Sequence, residues 1–208
     1  MPESALIVVD VQNDFCPGGN LAVPEGDRVV PVLNRCMLKF PLVVATKDWH
    51  PADHISLVSN HPGMEPMKTK EINGIEQMVW PDHCVQNTKG AELHPELDIA
   101  GVHCILHKGY RNNLDSYSAF FENDHTTHTG LAFFLQGLGI REVYIGGLAE
   151  DVCVFATAVD GRRLGFTVFV IRDAVRGVDV PEGNLEKSRQ DMKERGIRYI
   201  DSGDIVRS

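Results

Sequence analysis

Short, continuous apolar runs alternate along this chain with longer stretches in which apolar residues recur every three or four positions. The runs are Ala5 to Asp10, Leu42 to Thr46, Val102 to His107, Glu142 to Gly146, Phe166 to Asp173 and Ile197 to Ile200. Each is too short for a helix and apolar nearly throughout, the pattern of strands covered on both faces of a parallel sheet. Helical periodicity fills most of the intervals. Arg28 to Phe40 carries Val29, Val30, Leu33, Met37 and Phe40 on one stripe, with Pro31 in the first turn, where a missing N–H is tolerated. Thr129 to Leu138 directs Leu131, Phe134, Leu135 and Leu138 inward and is ended by Gly139. Val152 to Leu164 stops at Gly165 and Leu185 to Arg195 at Gly196, where left-handed caps fit. Strands that alternate with helices predict an α/β fold: a three-layer α/β/α arrangement around an open, six-stranded, mainly parallel sheet. No repeat, low-complexity tract or linker interrupts residues 1–208, so one domain is expected.

One interval breaks the rhythm. From Asp48 to Gly90 there is no long periodic segment, yet the stretch holds both tryptophans and four histidines. A structureless loop of that length inside a domain is usually functional.

Composition narrows the classes. Hydrophobic residues make up 43% and charged residues 24% of 208 residues, ordinary for a globular protein. The net charge of -9 repels phosphate backbones and argues against nucleic acid as a partner. No apolar run approaches membrane-spanning length, and the N-terminus lacks the basic start and cleavage site of a secretory signal. The expectation is a cytoplasmic protein without membrane association. The five cysteines are widely spaced and form no CxxC pair, which argues against a cysteine-rich zinc knuckle or a thioredoxin-type site.

Ligands of open parallel sheets bind beyond the carboxyl ends of the strands. Asp10 ends the first run, Asp48 and His50 follow the second, His107 and Lys108 end the third, and Gly146 to Ala149 and then Cys153 follow the fourth. Cys153 is the leading nucleophile candidate. In the first turn of a predicted helix, free N–H groups and the helix dipole favour a thiolate and can stabilise an oxyanion. A core-packed helix cysteine is the competing reading, Cys16 is the next candidate, and Cys104 in mid-strand reads as core. Asp10 could take the thiol proton if burial raised its pKa, and Lys108 could hold the thiolate. A Cys153–His107 pair is a rival, because neighbouring strand residues point to opposite faces.

Asp48 and His50 flank one residue, so both can reach one ion from an extended segment, and His83 in Trp80-Pro81-Asp82-His83 offers a third ligand. Imidazole with carboxylate suits zinc, iron or manganese rather than calcium. Three ligands leave coordination positions open. His61, His94, His125 and His128 read as surface or supporting groups.

Taken together, the segments VVDVQNDFCPGGNLAV (Val8–Val23), TKDWHP (Thr46–Pro51), WPDHCVQNTKGAELH (Trp80–His94), KGYRNNLDSYSAF (Lys108–Phe120) and GGLAEDVCV (Gly146–Val154) resemble the isochorismatase-like cysteine hydrolases, and among them the nicotinamidases, also called pyrazinamidases. The resemblance runs from Ala5 to about Val175. It implies a triad of Asp10, Lys108 and Cys153, which selects Lys108 over His107, and metal ligands Asp48, His50 and His83, with His54 close to the ion and a ligand in some members of the family. It implies a ring pocket of Phe15, Trp80 and Tyr117, a cis bond between Leu148 and Ala149, and an oxyanion hole from the Ala149 and Cys153 N–H groups. It further implies one divalent ion, zinc first with iron or manganese as alternatives. The implied activity is hydrolysis of the small molecule nicotinamide to nicotinic acid and ammonia through a thioester, in NAD salvage. Oligomeric state stays open, a homo-oligomer included. A related amidase for another small amide, such as an N-carbamoyl compound, is the alternative. A dinucleotide-binding oxidoreductase is disfavoured because no GxGxxG follows a strand, and a silent binding module because all three triad positions are filled.

Overall fold

Residues Ser4–Val9 are wholly buried and form the central strand β1 of the computed structural model, which describes residues 3–206 except residue 73. Alternation along β1 sends Ala5, Ile7 and Val9 into one core and Leu6 and Val8 into another on the opposite face. Each such aliphatic side chain contributes roughly 1.5–3 kcal/mol by leaving water. The elements that follow are α1 (Val29–Met37), β2 (Val43–Asp48), β3 (Lys68–Ile72), β4 (Ile75–Val79), β5 (Cys104–Lys108), α2 (Leu131–Gly137), β6 (Glu142–Leu148), α3 (Phe155–Arg163), β7 (Thr167–Arg176), α4 (Asn184–Glu194) and β8 (Arg198–Ile200).

Six strands form one sheet in the order β5-β2-β1-β6-β7-β8, and every neighbouring pair is parallel. Val29, Val30, Leu33, Cys36 and Met37 of α1 cover one face. Leu131, Ala132 and Leu135 of α2, Ala158 of α3 and Met192 of α4 cover the other. This is the three-layer α/β arrangement that the alternating pattern predicts. The fit of β6 against β1 is close enough to require glycine. Gly147 has φ of 122°, and a Cβ there would lie 2.0 Å from the Val9 carbonyl oxygen.

Four details depart from the expectation. The helix predicted over Arg28 to Phe40 is shorter at both ends. The edge strand β5 alternates, with Ile105 half exposed, because no neighbour covers its outer side. On α2, Phe134 and Leu138 face solvent; only Leu131 and Leu135 of the predicted stripe reach the core, since the helix is a short one lying at its margin. The stretch from Asp48 to Gly90 contains the antiparallel hairpin β3–β4, invisible to periodicity because Lys68 to Glu71 are polar on both faces. No helix among the described residues is long and apolar enough to cross a membrane.

Candidate active site and metal centre

The sheet order places β5, β2, β1 and β6 side by side, so the groups at their carboxyl ends meet on one rim. Register pairs Asp48 of β2 directly with Lys108 of β5. The Lys108 ammonium is fully buried and forms the hub. Its Nζ lies 2.8 Å from Asp10 Oδ2 and 2.5 Å from Asp48 Oδ1, donates to the Ser116 carbonyl at 2.9 Å, and reaches Cys153 Sγ at 3.5 Å. Burial opposes the charge on Lys108, but Asp10 and Asp48 overcome that and hold its pKa well above the usual lysine value. Asp10 sits in the left-handed region with φ of 48°, a conformation aspartate tolerates better than most residues. Thr46 Oγ1 accepts the Asp10 N–H at 3.2 Å and donates to Asp10 Oδ1 at 2.6 Å. Burial raises the Asp10 pKa to about 6 against the pull of Lys108.

Cys153 lies in a turn wound more widely than an α-helix, Glu150–Val154, which leads into α3, and the Leu148–Ala149 peptide ahead of it is cis. The sequence suggests a thiolate stabilised by a helix dipole. Here burial pushes the Cys153 thiol well above its usual pKa, with Lys108 opposing and Asp10 and Asp48 adding to the rise. Cys153 thus needs a base to release its proton, and the Asp10 carboxylate lies within 4.8 Å of its sulfur. Glu150 anchors this turn: its buried carboxylate accepts two hydrogen bonds from Arg189 of α4, at 2.8 and 2.7 Å, and one from Tyr199 of β8 at 2.9 Å.

A second cluster adjoins the first. His50 Nε2 and His83 Nε2 lie 3.7 and 3.8 Å from Asp48 Oδ2, and the three side chains are buried. His50 Nδ1 donates to the Gly109 carbonyl at 2.8 Å and His83 Nδ1 to the Pro81 carbonyl at 2.7 Å. A carbonyl only accepts, so both protons sit on Nδ1 and both Nε2 lone pairs face Asp48, the arrangement metal-binding histidines adopt. Burial lowers both pKa values to about 4, which keeps the rings neutral. The donor set therefore fits a divalent ion. Gly109 is a glycine for cause: φ is 60°, and a Cβ would come 2.6 Å from His50 Cε1.

His54 stacks on His50 with ring centroids 4.2 Å apart. Its Nδ1 lies 2.7 Å from Ser56 Oγ and 3.3 Å from Ser56 N, and its Nε2 faces the Leu114 carbonyl at 3.4 Å and Asp115 Oδ1 at 3.9 Å.

Phe15, Trp80 and Tyr117 line one cavity together with Asp48, His50, His83, Ala149 and Cys153. Trp80 Nε1 donates to Tyr117 Oη at 3.1 Å and fixes the two rings edge to face. The remaining sequence candidates lie elsewhere. His107 points away from Lys108 and stacks on Trp49. Cys16 is buried, with its thiol pushed up to about 11 by burial and Asp27. Cys104 is only partly buried, on the edge strand. Sequence reasoning did not single out Leu21, Val23, Val152, Val178 and Asp115, which also line the cavity. Asp115 was within reach, because it lies inside the KGYRNNLDSYSAF segment that follows β5.

The model of the isochorismatase domain matches residues 4–203. The chain is 48% identical to a nicotinamidase of Acinetobacter baylyi over 97% of this chain and 94% of that one. It superimposes on a nicotinamidase/pyrazinamidase of Acinetobacter baumanii with a TM-score of 0.96 at 48% identity, covering 99% of each chain. A pyrazinamidase of Pyrococcus horikoshii solved in complex with zinc matches with a TM-score of 0.78 at 41% identity, covering 96% of this chain and 99% of that one. The chain belongs to the isochorismatase family of hydrolases. Within that family its similarity runs to amidohydrolases of the nicotinamidase group.

Proposed function

We propose that the chain is a nicotinamidase that converts nicotinamide to nicotinic acid and ammonia, a reaction that serves NAD salvage. The observation that carries this reading is the cavity and what backs it: the Cys153 thiol in its wall, in reach of the buried Lys108 ammonium that also contacts Asp10, a cluster of two histidines and one carboxylate at another side, and aromatic walls between. Similarity to nicotinamidases along nearly the whole chain supports it.

The residues divide the work as follows. Phe15, Trp80 and Tyr117 enclose the ring and exclude water. Asp48, His50 and His83 would hold a divalent ion, zinc by preference with iron or manganese as alternatives, which would supply Lewis acidity toward the ring nitrogen. Asp10 takes the Cys153 proton while Lys108 steadies the sulfur, and Sγ bonds to the amide carbon. The Ala149 and Cys153 N–H groups receive the oxyanion. Asp10 returns the proton to nitrogen, the C–N bond breaks and ammonia leaves. Asp10 then takes a proton from water, whose oxygen bonds to the thioester carbon. The C–S bond breaks, and Asp10 reprotonates sulfur as nicotinic acid departs. An amide needs such covalent help because its leaving group is poor.

The same reading takes the chain as one hydrolase domain and gives His54 a stacking role beside His50. Five free cysteines support a reducing, cytoplasmic setting.

A substrate panel tests the assignment. Nicotinamide and pyrazinamide should turn over, while benzamide, which lacks the ring nitrogen, should react at least about a hundredfold more slowly. Efficient hydrolysis of an N-carbamoyl amino acid with inert nicotinamide would reassign the chain to another amidase.

A further inference from the structure

Beside the catalytic cavity lies a groove of about 360 Å³, within the size range of small-molecule sites. Trp80, Tyr117 and Val152 line both spaces. The other walls of the groove are mostly apolar, with Phe155, Ala156 and Val159 of α3 and Pro181 of the segment before α4 among them. Two carboxylates, Asp151 and Asp160, also line it, and each residue is only 4% exposed. Among the described residues no lysine or arginine lines the groove; its basic group is the exposed His125.

The two carboxylates differ in what they hold. Asp151 Oδ1 accepts the Val178 N–H at 2.9 Å, and its Oδ2 accepts the Asp179 N–H at 2.9 Å and a bond from Asn184 Nδ2 at 3.2 Å. These bonds fasten the segment that leads into α4, and they occupy both oxygens. Asp160 does no such work: its Oδ2 is buried and has no hydrogen-bond partner among the described residues. A buried acceptor without a donor is destabilising, so each one in a native fold calls for a reason. Neither carboxylate belongs to a cluster of donor atoms suited to a metal ion. The complement of Asp160 is therefore an N–H donor, and a cationic one binds a carboxylate more strongly than a neutral one. Trp80, Tyr117 and Phe155 add aromatic faces, which also attract cations.

We propose that this groove is a second ligand site, for a small organic cation that carries N–H donors on an apolar body, such as a primary ammonium with an aromatic tail. The ammonium donates to the Asp160 carboxylate, and the tail lies against Phe155, Val159 and Pro181. Asp151 contributes negative charge without giving up its bonds to the chain.

Calorimetric titration of the purified, zinc-loaded full chain with benzylammonium tests the site. Benzylammonium should bind. Benzyl alcohol, which has the tail without the charge, and trimethylbenzylammonium, which has the charge without an N–H, should each bind at least about tenfold more weakly. Asp160→Asn should weaken benzylammonium about 10- to 100-fold. Should that variant not fold, Asp160→Ser gives the same reading. Ala156→Leu, which fills part of the groove and keeps the carboxylate, should weaken binding as well. Excess nicotinic acid, which occupies the catalytic cavity in the reading above, should leave benzylammonium in place. No binding of benzylammonium, an unchanged affinity in the folded Asp160 or Ala156 variants, or displacement by nicotinic acid overturns the second site. Benzyl alcohol or trimethylbenzylammonium binding as tightly as benzylammonium overturns the class of ligand assigned to it.

Discussion

Gln12 grips Asp48 by both sides of its backbone: Oε1 accepts the Asp48 N–H at 2.7 Å and Nε2 donates to the Asp48 carbonyl at 2.8 Å. The amide also donates to the Ala91 carbonyl at 3.0 Å, and Gln12 has no exposed surface. Asp48 in turn contacts Lys108 through one carboxylate oxygen and faces His50 and His83 through the other. One glutamine therefore sets the position of the residue that joins the two halves of the site. Gln12→Ala strands buried polar groups on β2 and should cost about 3 kcal/mol of stability. Urea unfolding checks the loss, and zinc affinity should fall in parallel.

The nucleophile turn is tied to distant elements by Glu150. Arg189→Ala leaves that carboxylate buried with only Tyr199 as partner. Breaking such a pair from one side costs several kcal/mol when both groups are buried. Because the Arg189 side chain is 39% exposed, about 2 kcal/mol is expected here. Turnover should fall more than the Michaelis constant rises, since the ring pocket is untouched. Thermal melting and steady-state kinetics separate the two effects.

Asp10 must be ionised to take the thiol proton, and burial holds its pKa at about 6. The rate should be flat near neutrality and fall as pH drops through 6, approaching tenfold per pH unit below it. On the alkaline side Lys108 stays charged and Cys153 stays a thiol well beyond neutral pH, so no early basic limb is expected. A profile of kcat/KM against pH that bends near 4 instead would contradict the raised pKa of Asp10.

The amino-acid pattern carries the sheet and the rim because both follow from local rules. Ser4–Val9 and Glu142–Leu148 are apolar runs too short for helices, and strand ends are where ligands bind. The Lys108–His107 choice is also local in origin, since neighbouring strand residues face opposite ways, but only the neighbours Asp10 and Asp48 decide which one enters the site. What stayed hidden depends on long-range contacts. Val178 lines the cavity because the Asp151 carboxylate, 27 residues earlier, accepts its N–H at 2.9 Å. Gln77 reaches Asp115 across 38 residues from a hairpin whose first strand is polar on both faces. The upward push on the Cys153 thiol comes from burial, which a helical position in sequence does not reveal.

Ammonia release from nicotinamide by the purified, metal-loaded protein tests the central claim most directly, read alongside chelator-treated protein and Cys153→Ala. The account predicts steady release that a chelator abolishes, that zinc, iron or manganese restores, and that falls at least about a thousandfold in the alanine variant. Metal-loaded protein that releases no ammonia, or an alanine variant that releases it at the parent rate, would contradict the account.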